Sequence, residues 1–304
     1  MVGTLVYDLI QPLIGDTVQG YGGIYHTLVS LSSLCQSDDE IIPVTYVGED
    51  HWQRVRQFID NEKNISPGGL VPIKAKTNCS ILKYYSQSER TEVSIEPYPP
   101  LRFAHIESFL DCDMMLINMI SGWDIDLNTL QEVRRNYQGE IYIDIHNYLT
   151  ELDHESKRCY RIPNDIAAWL QQADIIQLNE KEFNVLNQEQ SEIGDFCRKY
   201  CISEKKLINL TLGSIGSRSI LVQNSQLKSY LNKISTNKNT RDTTGCGDAF
   251  SAGFIYGYLL KKDIDTCLNL ANCVASLYSE FSGPAEINRF RLKLKQKCQG
   301  LKKS

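Results

Sequence analysis

Several features of membrane, secreted and low-complexity proteins are missing from this 304-residue sequence. It has no low-complexity stretch, and no apolar run approaches the length that crosses a bilayer. Residues 1–8 have no basic start, and Asp8 interrupts them too early for a signal peptide. We therefore expect a cytoplasmic protein that does not associate with membranes.

Patterned metal-binding and disulfide motifs are also missing. The ten cysteines show no CxxC pairing, and the five histidines show no HExxH spacing. A disulfide framework is not expected in a long chain with 42% apolar residues, which can bury a large core instead. The net charge of −5 argues against nucleic-acid binding. The length and apolar content of the chain favour a single α/β domain over residues 1–304.

Short apolar runs alternate with segments of helix length along most of the chain. The pairs are 4–8 with 22–35, 41–47 with 51–60, 114–120 with 127–137, 141–145 with 162–172, and 175–178 with 180–186. This alternation predicts a mostly parallel central sheet flanked by helices on both faces. Ligands of such sheets lie beyond the carboxyl ends of the strands, where we expect Asp8, Asp144, Asn179 and Thr211.

Two β-rich segments, 79–85 and 91–98, break this alternation and are joined by the polar residues 86–90. They predict a hairpin outside the main sheet. We assign it to a small β lid formed by about residues 9–21 and 73–100, which would exclude water from a reaction site. The alternative is an edge hairpin that extends the central sheet.

Residues 242–250, with the sequence DTTGCGDAF, place two glycines and a carboxylate at the start of an apolar helix. The amides of Gly245, Cys246 and Gly247 can converge on an anion, because helix starts expose unpaired N–H groups. Asp248 would then act as a base beside the bound group, which is the arrangement that phosphoryl transfer needs. Singly, Asp248 could instead complement the helix dipole, and the glycines could be turn residues.

The same nonapeptide closely resembles the C-terminal signature of the PfkB (ribokinase-like) family of carbohydrate kinases, with only Cys246 departing from it. Further pieces occur in family order. They are Gly22-Gly23, residues 179–182, residues 211–216, and residues 271–284. The resemblance implies a ribokinase-like fold, with Asp248 as the catalytic base and Gly245 to Gly247 as the anion hole.

The resemblance also implies a nucleotide site and a substrate site. Asn179 and Glu182 would place Mg²⁺ and the phosphates of ATP through water, although Asn-x-x-Glu is also a helix capping box. The other residues that would border the nucleotide are Thr211, Gly213, Gly216, Asn272 and Ser276. Asp8, Gly22, Gly23 and Asp144 would contact the substrate, and Asp242 with Thr244 would offer a site for a monovalent cation such as K⁺.

The sequence therefore predicts an ATP-dependent kinase that phosphorylates an alcohol group of a small sugar, polyol or nucleoside. Tyr25 and His26 are bulkier than the residues often found at their positions, and Thr27 replaces a common asparagine, so the acceptor stays open. Two alternatives remain. One is a catalytically silent nucleotide- or sugar-sensing protein on the same fold, and the other is a kinase for a vitamin-type alcohol such as pyridoxal. Lids of this family often pair between subunits, which allows a homodimer.

Overall fold

A computed structural model describes all residues of the chain except 86–89, 96, 156, 188–192, 201–204, 225, 236, 238, 282–285 and 302–304. The strands are β1 (Val2–Gly3), β2 (Leu5–Gln11), β3 (Val18–Gly23), β4 (Thr45–Gly48), β5 (Leu70–Ile73), β6 (Cys79–Tyr84), β7 (Arg90–Ile95), β8 (Met114–Asn118), β9 (Glu140–Asp144), β10 (Thr150–Leu152), β11 (Arg158–Tyr160), β12 (Ile175–Asn179), β13 (Lys205–Thr211), β14 (Gly216–Gln223) and β15 (Gln226–Lys233). The α-helices are α1 (Ile24–Leu34), α2 (Trp52–Asp60), α3 (Leu127–Asn136), α4 (Ile166–Gln172), α5 (Glu180–Asn187), α6 (Ile193–Tyr200), α7 (Cys246–Leu259), α8 (Ile264–Tyr278) and α9 (Ile287–Leu301).

The central sheet has seven strands in the order β1-β8-β9-β12-β13-β14-β15. Its first five strands run parallel, whereas β14 and β15 continue the sheet as antiparallel neighbours. The predicted α/β fold with a mostly parallel sheet is therefore confirmed. The antiparallel end follows from the glycine turn at residues 213–216, which reverses the chain directly after β13.

Helices cover both faces of the central sheet, as predicted. Alternate side chains of each strand point to opposite faces, so neighbouring residues enter different cores. Ile117, Ile143 and Ile176 pack with residues of α3, α4 and α6 on one face. On the other face, Leu116, Tyr142 and Ile175 pack with α7 and α8. Strands buried on both sides in this way read as continuous apolar runs.

A second sheet of four strands, which we call the lid, has the order β3-β2-β6-β7. The hairpin of β6 and β7 thus lies outside the central sheet, and its connection at 86–89 falls outside the described residues. The lid also contains β2, so the predicted central strand over residues 4–8 was wrong. The chain leaves the central sheet after Gly3 and enters the lid at Leu5, which places Asp8 within the lid.

Two smaller pairs of strands complete the sheets. The parallel pair of β4 and β5 extends the central sheet through a bridge between Val2 and Val44. The antiparallel pair of β10 and β11 reaches the lid through a bridge between Lys157 and Val93. The sequence pattern did not predict this last hairpin, which links the body of the protein to β7.

Helix α7 packs closely against α8. A Cβ atom at Gly253 would lie 2.7 Å from the Cα of Ala271, so α7 needs a glycine at this contact. Within the part of the chain that the structure describes, no helix is both long and apolar enough to serve as a membrane span.

Candidate active site

The start of α7 forms the floor of the candidate site. Gly245 precedes the helix with a φ of 76°, a left-handed conformation that glycine adopts readily. The first intrahelical bond runs from the amide of Ala249 to the carbonyl of Gly245 at 2.9 Å. The Cys246 amide donates to the carbonyl of Thr243 at 3.2 Å, so one of the three predicted anion-binding amides is engaged within the turn.

Space above Gly247 is open. A Cβ atom there would meet only the Nε2 of Gln177, at 3.9 Å. Because the first amides of a helix have no acceptor within it, the N-terminus of α7 presents N–H groups and partial positive charge to this space. An anionic group can therefore be held at this position.

Asp248 lies in the first turn of α7 and is only 7% exposed. Its Oδ1 atom accepts a hydrogen bond from the Nδ2 of Asn118 at 2.7 Å and one from the hydroxyl of Thr27 at 3.2 Å. Asn118 ends β8 and is completely buried. Sequence reasoning missed Asn118, although its position at the carboxyl end of a buried strand was a usable signal.

Burial raises the pKa of Asp248 to about 6, while the hydrogen bonds from Asn118 and Thr27 act in the opposite direction. The helix-dipole argument alone predicts a lowered pKa. Desolvation of the carboxylate outweighs the dipole here. Asp248 is thus a stronger base than an exposed aspartate and is still ionised at neutral pH.

A cavity that is partly open to solvent lies between the lid and the start of α7. Asp8 of β2, Gly23, Gly245 and Asp248 all line it, so the structure brings two predicted substrate residues to the predicted base. Gly22 leaves room for Asp8, since a Cβ atom at Gly22 would lie 1.7 Å from the Oδ2 of Asp8.

Gly23 caps α1 with a φ of 61°, and a Cβ atom there would lie 2.3 Å from the carbonyl oxygen of Thr4. The diglycine therefore allows the lid strand and the helix start to approach each other closely. His26, one turn into α1, also lines the cavity. Its Nδ1 atom hydrogen-bonds the hydroxyl of Tyr278 at 2.7 Å, and its ring covers Gly245.

Asp144 does not line this cavity but lies behind it, on the side of α7 that faces β12. The Nε2 of Gln177 donates to the Oδ2 of Asp144 at 2.9 Å and to the carbonyl of Gly247 at 3.1 Å. Gln177 was not predicted as a site residue, yet it joins the predicted anion site to Asp144. The central position of Gln177 on β12 explains this link.

Asn179 and Glu182 form a reciprocal capping box at the start of α5. The Asn179 amide donates to Glu182 at 2.8 Å, and the Glu182 amide donates to the side-chain oxygen of Asn179 at 2.9 Å. The capping alternative is therefore present in the structure. Burial raises the pKa of Glu182 to about 8. Burial also raises the pKa of Asp144 well above its usual value, with smaller contributions from the charges of Glu182 and Asp248.

These two buried carboxyl groups form no ion pair with any lysine or arginine that the structure describes. Carboxylate oxygens are the ligands that Mg²⁺ prefers, and Mg²⁺ commonly keeps several waters. No group of three or more acidic, histidine or cysteine side chains in the described ranges is arranged to hold a metal ion directly. The oxygen donors of Asp144 and Glu182 are therefore chemically suited to Mg²⁺, and water and the phosphates of a bound donor would complete its coordination shell.

The residues predicted to border a nucleotide lie along the same edge of the sheet. Thr211 pairs with Asn179 across β12 and β13, and Gly213 follows in an open turn with a φ of 56°. A Cβ atom at Gly216 would lie 2.1 Å from the carbonyl oxygen of Asn232. Asn272 of α8 donates to the side-chain oxygen of Asn232 at 2.7 Å.

Ser276, the last predicted nucleotide residue, lies one turn further along α8. Its carbonyl and hydroxyl oxygens accept hydrogen bonds from Asn237 at 2.9 and 3.2 Å. Asn232 and Asn237 therefore each contact one of the two predicted nucleotide residues of α8.

Asp242 and Thr244 lie in the turn that precedes α7. The Oδ1 of Asp242 accepts from the amide of Thr244 at 2.9 Å, and the Asp242 amide donates to the carbonyl of Ser279. The hydroxyl of Thr244 is 2.9 Å from that of Tyr84 in the lid. Gly283 and Pro284, at the end of the family-like stretch 271–284, lie outside the described residues.

Comparison with known proteins finds similarity to the same family that the sequence motifs resemble. Residues 151–289 match the model of the pfkB family of carbohydrate kinases. A segment of 79 residues is 39% identical to an uncharacterized sugar kinase from Archaeoglobus fulgidus. That segment is 26% of this chain and spans about a third of the relative, 31% of its length.

Solved structures share the fold over nearly the whole chain. A pyrophosphate-dependent kinase of the ribokinase family, in complex with a pyrophosphate analog and myo-inositol, has a TM-score of 0.72 at 17% identity, covering 96% of this chain and 97% of that one. Fructokinase with bound ATP from Xylella fastidiosa has a TM-score of 0.70 at 18% identity, with 98% and 97% coverage. The predicted ribokinase-like fold is therefore confirmed.

Proposed function

We propose that this chain is a member of the PfkB family of carbohydrate kinases and transfers the γ-phosphoryl group of ATP to an alcohol group of a small sugar, polyol or nucleoside. The observation that carries the proposal is the position of Asp248. Its buried carboxyl group lines the lid cavity and belongs to the first turn of α7, so the base and the anion site are adjacent.

In this proposal the acceptor hydroxyl lies in the cavity between Asp8 and Asp248. Asp248 orients the hydroxyl and takes its proton as the new P–O bond forms. The amides at the start of α7 stabilise the charge of the migrating phosphoryl group, and one such donor contributes about 3 kcal/mol in comparable sites. The lid covers the acceptor and excludes water, which would otherwise compete for the phosphoryl group.

We assign the donor phosphates to the opposite side of α7, near Asp144 and Glu182. These two carboxyl groups would hold Mg²⁺ partly through water, and when bound Mg²⁺ neutralises charge on the donor phosphates. The chain's own contribution is to hold both groups in place. Gln177 fixes Asp144, and the capping box fixes Glu182.

The test is donor consumption by the purified protein with a panel of sugars, polyols and nucleosides. We expect ADP release with at least one acceptor, and a fall in kcat on the order of 10²-fold or more in Asp248→Asn. Asp113→Asn, which changes an exposed aspartate away from the site, is the control and should retain activity. Unchanged turnover in Asp248→Asn would contradict the assignment of the base.

The donor is tested in the same assay, because one structural neighbour is described as pyrophosphate-dependent and another as ATP-bound. We expect turnover with ATP and none with pyrophosphate. Tight ATP binding without turnover on any acceptor would instead support the sensing alternative, and turnover of pyridoxal alone would support the vitamin-type alternative.

A further inference from the structure

The lid presents one polar row to the cavity. In the strand register, Gly20 pairs with Asp8, Asp8 pairs with Ser80, and Ser80 pairs with Ser94. Side chains that are directly opposite each other in a sheet lie on the same face. Asp8, Ser80 and Ser94 all line the cavity, so this row faces the carboxyl group of Asp248.

Ser80 lacks a partner within this row. Its side-chain oxygen is buried and has no hydrogen-bond partner among the described residues, and the whole residue is 5% exposed. Leaving a buried hydroxyl unsatisfied is costly, so such a group at a cavity wall indicates a ligand that completes the bond. A hydroxyl group is a suitable ligand, since it both donates and accepts.

Arg158 is the only arginine or lysine among the described residues that line the cavity, and it is already engaged. Its Nε donates to the Oε1 of Glu92 at 2.8 Å. Its Nη1 donates to the carbonyl of Ser121 at 3.0 Å and to the hydroxyl of Thr150 at 3.1 Å. Its Nη2 lies 3.3 Å from the hydroxyl of Ser94.

This guanidinium group is therefore held by the lid and the body together, with a side chain that is only 10% exposed. Glu92 neutralises its charge from within the same cavity wall. The lining of the cavity also contains the carboxyl groups of Asp8 and Asp248 and the imidazole rings of His26 and His146. An acceptor that carries a carboxylate would meet three carboxyl groups there and, among the described residues, no lysine or arginine besides the paired Arg158, which disfavours its binding.

We propose that the acceptor is an uncharged polyol or sugar, bound through the polar row of the lid, and that the Arg158–Glu92 pair excludes sugar acids. This inference rests on the proposed function, since it concerns the acceptor of the same site. Asp8 accepts from the hydroxyl groups of the acceptor, and Ser80 completes its hydrogen bond with one of them. Arg158 positions the lid, and its charge is paired with Glu92 and is not available to the acceptor.

The test compares pairs of acceptors that differ at one end of the chain, where the polyol has a CH₂OH group and the acid has a carboxylate, such as glucitol with gluconate and ribitol with ribonate. Neutral sugars and myo-inositol are measured alongside. Binding to the full chain is measured by the rise in Tm, and turnover is measured separately with ATP. Like charges a few ångströms apart in a partly buried site predict a preference on the order of 100-fold for the neutral member. An acid that binds as tightly as its paired polyol, or a panel in which no neutral member binds, overturns the proposal.

The two readouts separate this proposal from the proposed function. If neutral acceptors raise the Tm but no donor supports turnover, the kinase assignment fails while the acceptor class stands. If acids are the members that are phosphorylated, the kinase assignment stands and the acceptor class fails.

Two variants examine the residues that carry the inference. Glu92→Gln removes the neutralising charge from Arg158, so we expect it to improve binding of the acid relative to its polyol by about 10-fold. Glu107→Gln, at an exposed site, is the control and should leave the preference unchanged. An unchanged preference in folded Glu92→Gln contradicts the role of the pair.

Ser80→Ala removes a buried hydroxyl that has no partner among the described residues. We expect the Tm of the free protein to stay the same or rise, because an unsatisfied group is lost, while polyol binding weakens by about 10-fold, as for the loss of one hydrogen bond. A purely structural serine would show the opposite result, a lower Tm and unchanged binding.

Discussion

The carboxyl group of Asp248 is stabilised in its charged form by two neighbours from other elements. Asn118 donates at 2.7 Å from β8, and Thr27 donates at 3.2 Å from α1. Burial opposes them and raises the pKa to about 6. The pKa of this carboxyl group therefore reflects a balance that single substitutions can shift in a known direction.

Removing the side-chain amide of Asn118 should move the acidic limb of the pH profile of kcat/KM. Because a base must be deprotonated, we expect kcat/KM of the natural protein to fall about tenfold per pH unit below about pH 6. Asn118→Ala removes a donor to the carboxylate, so the pKa rises and the limb moves to higher pH. Rates measured between pH 4.5 and 9 with a saturating donor check this.

Thr27→Val provides a comparison, since it removes the longer bond and should shift the limb by less in the same direction. Asn136→Ala, at an exposed position at the end of α3, is the control without a shift. A limb that moves to lower pH in Asn118→Ala, or that stays in place, would contradict this account of Asp248.

Gly22 is a second residue with a specific requirement. A methyl group there would lie 1.7 Å from the Oδ2 of Asp8, so Gly22→Ala must displace that carboxyl group. We expect KM for the acceptor to rise at least about 10-fold, as for the loss of a hydrogen bond to a charged group. Steady-state kinetics measures this, and Gly68→Ala, where a Cβ atom meets nothing closer than 3.6 Å, should behave like the natural protein. An unchanged KM in Gly22→Ala would argue against contact between Asp8 and the acceptor.

At this scale the sequence predicted the residues that lie in one motif but not their partners. Asp248 and its glycines are consecutive and carry a recognisable spacing. Asn118 lies 130 positions away along the chain, and its place at the end of a buried strand marks it as a site candidate but does not identify Asp248 as its partner. Only the fold brings the end of β8 to the start of α7.

At the scale of elements, the packing of α7 on α8 depends on two glycines. A Cβ atom at Gly253 would lie 2.7 Å from the backbone of α8, whereas one at Gly257 would lie 3.2 Å away. We expect Gly253→Ala to lower the free energy of unfolding by about 2 kcal/mol, because an overpacking cost of about 3 kcal/mol exceeds a gain in helix propensity of about 1 kcal/mol. Denaturant unfolding measures the change.

Gly257→Ala is the matched variant one turn further along α7. There the clash is milder and the gain in propensity is the same, so the change should stay within about 1 kcal/mol. Equal losses in the free energy of unfolding at Gly253 and Gly257 would show that the distance between α7 and α8 does not control the effect.

Elements with a clear period were predictable, and those that depend on contacts between distant segments were not. The alternating apolar runs at 114–120, 141–145 and 175–178 correctly predicted β8, β9 and β12 of the central sheet. The division between β1 and β2 was not predicted, because Gly3 and Thr4 are the only break signals before the β-rich residues 5–7. The structure separates the two strands at Thr4, whose hydroxyl donates to the buried Asp124 at 2.6 Å.

For the whole molecule, the outer part of the lid predicts self-association. Ile14 is 92% exposed and Leu13 is 53% exposed, at the connection between β2 and β3. Exposed apolar side chains that lie together favour a protein interface. We expect a homodimer through the lid, measured by light scattering after size-exclusion chromatography, and dissociation of that dimer in Ile14→Asp.

Leu292→Asp is the control for this prediction, because Leu292 is 64% exposed but belongs to α9. It should leave the dimer intact. A monomer at all concentrations of the natural protein would show that the lid does not pair subunits.

The lid and the start of α7 come from distant parts of the chain and face each other across the cavity. The residues that would select an acceptor are side chains on the cavity face of a sheet, and the register of the strands sets their order. The residues that would move a phosphoryl group belong to a helix in the second half of the chain. Evolution could therefore exchange side chains on the sheet, and so change the metabolite that is recognised, while the reaction chemistry is inherited unchanged.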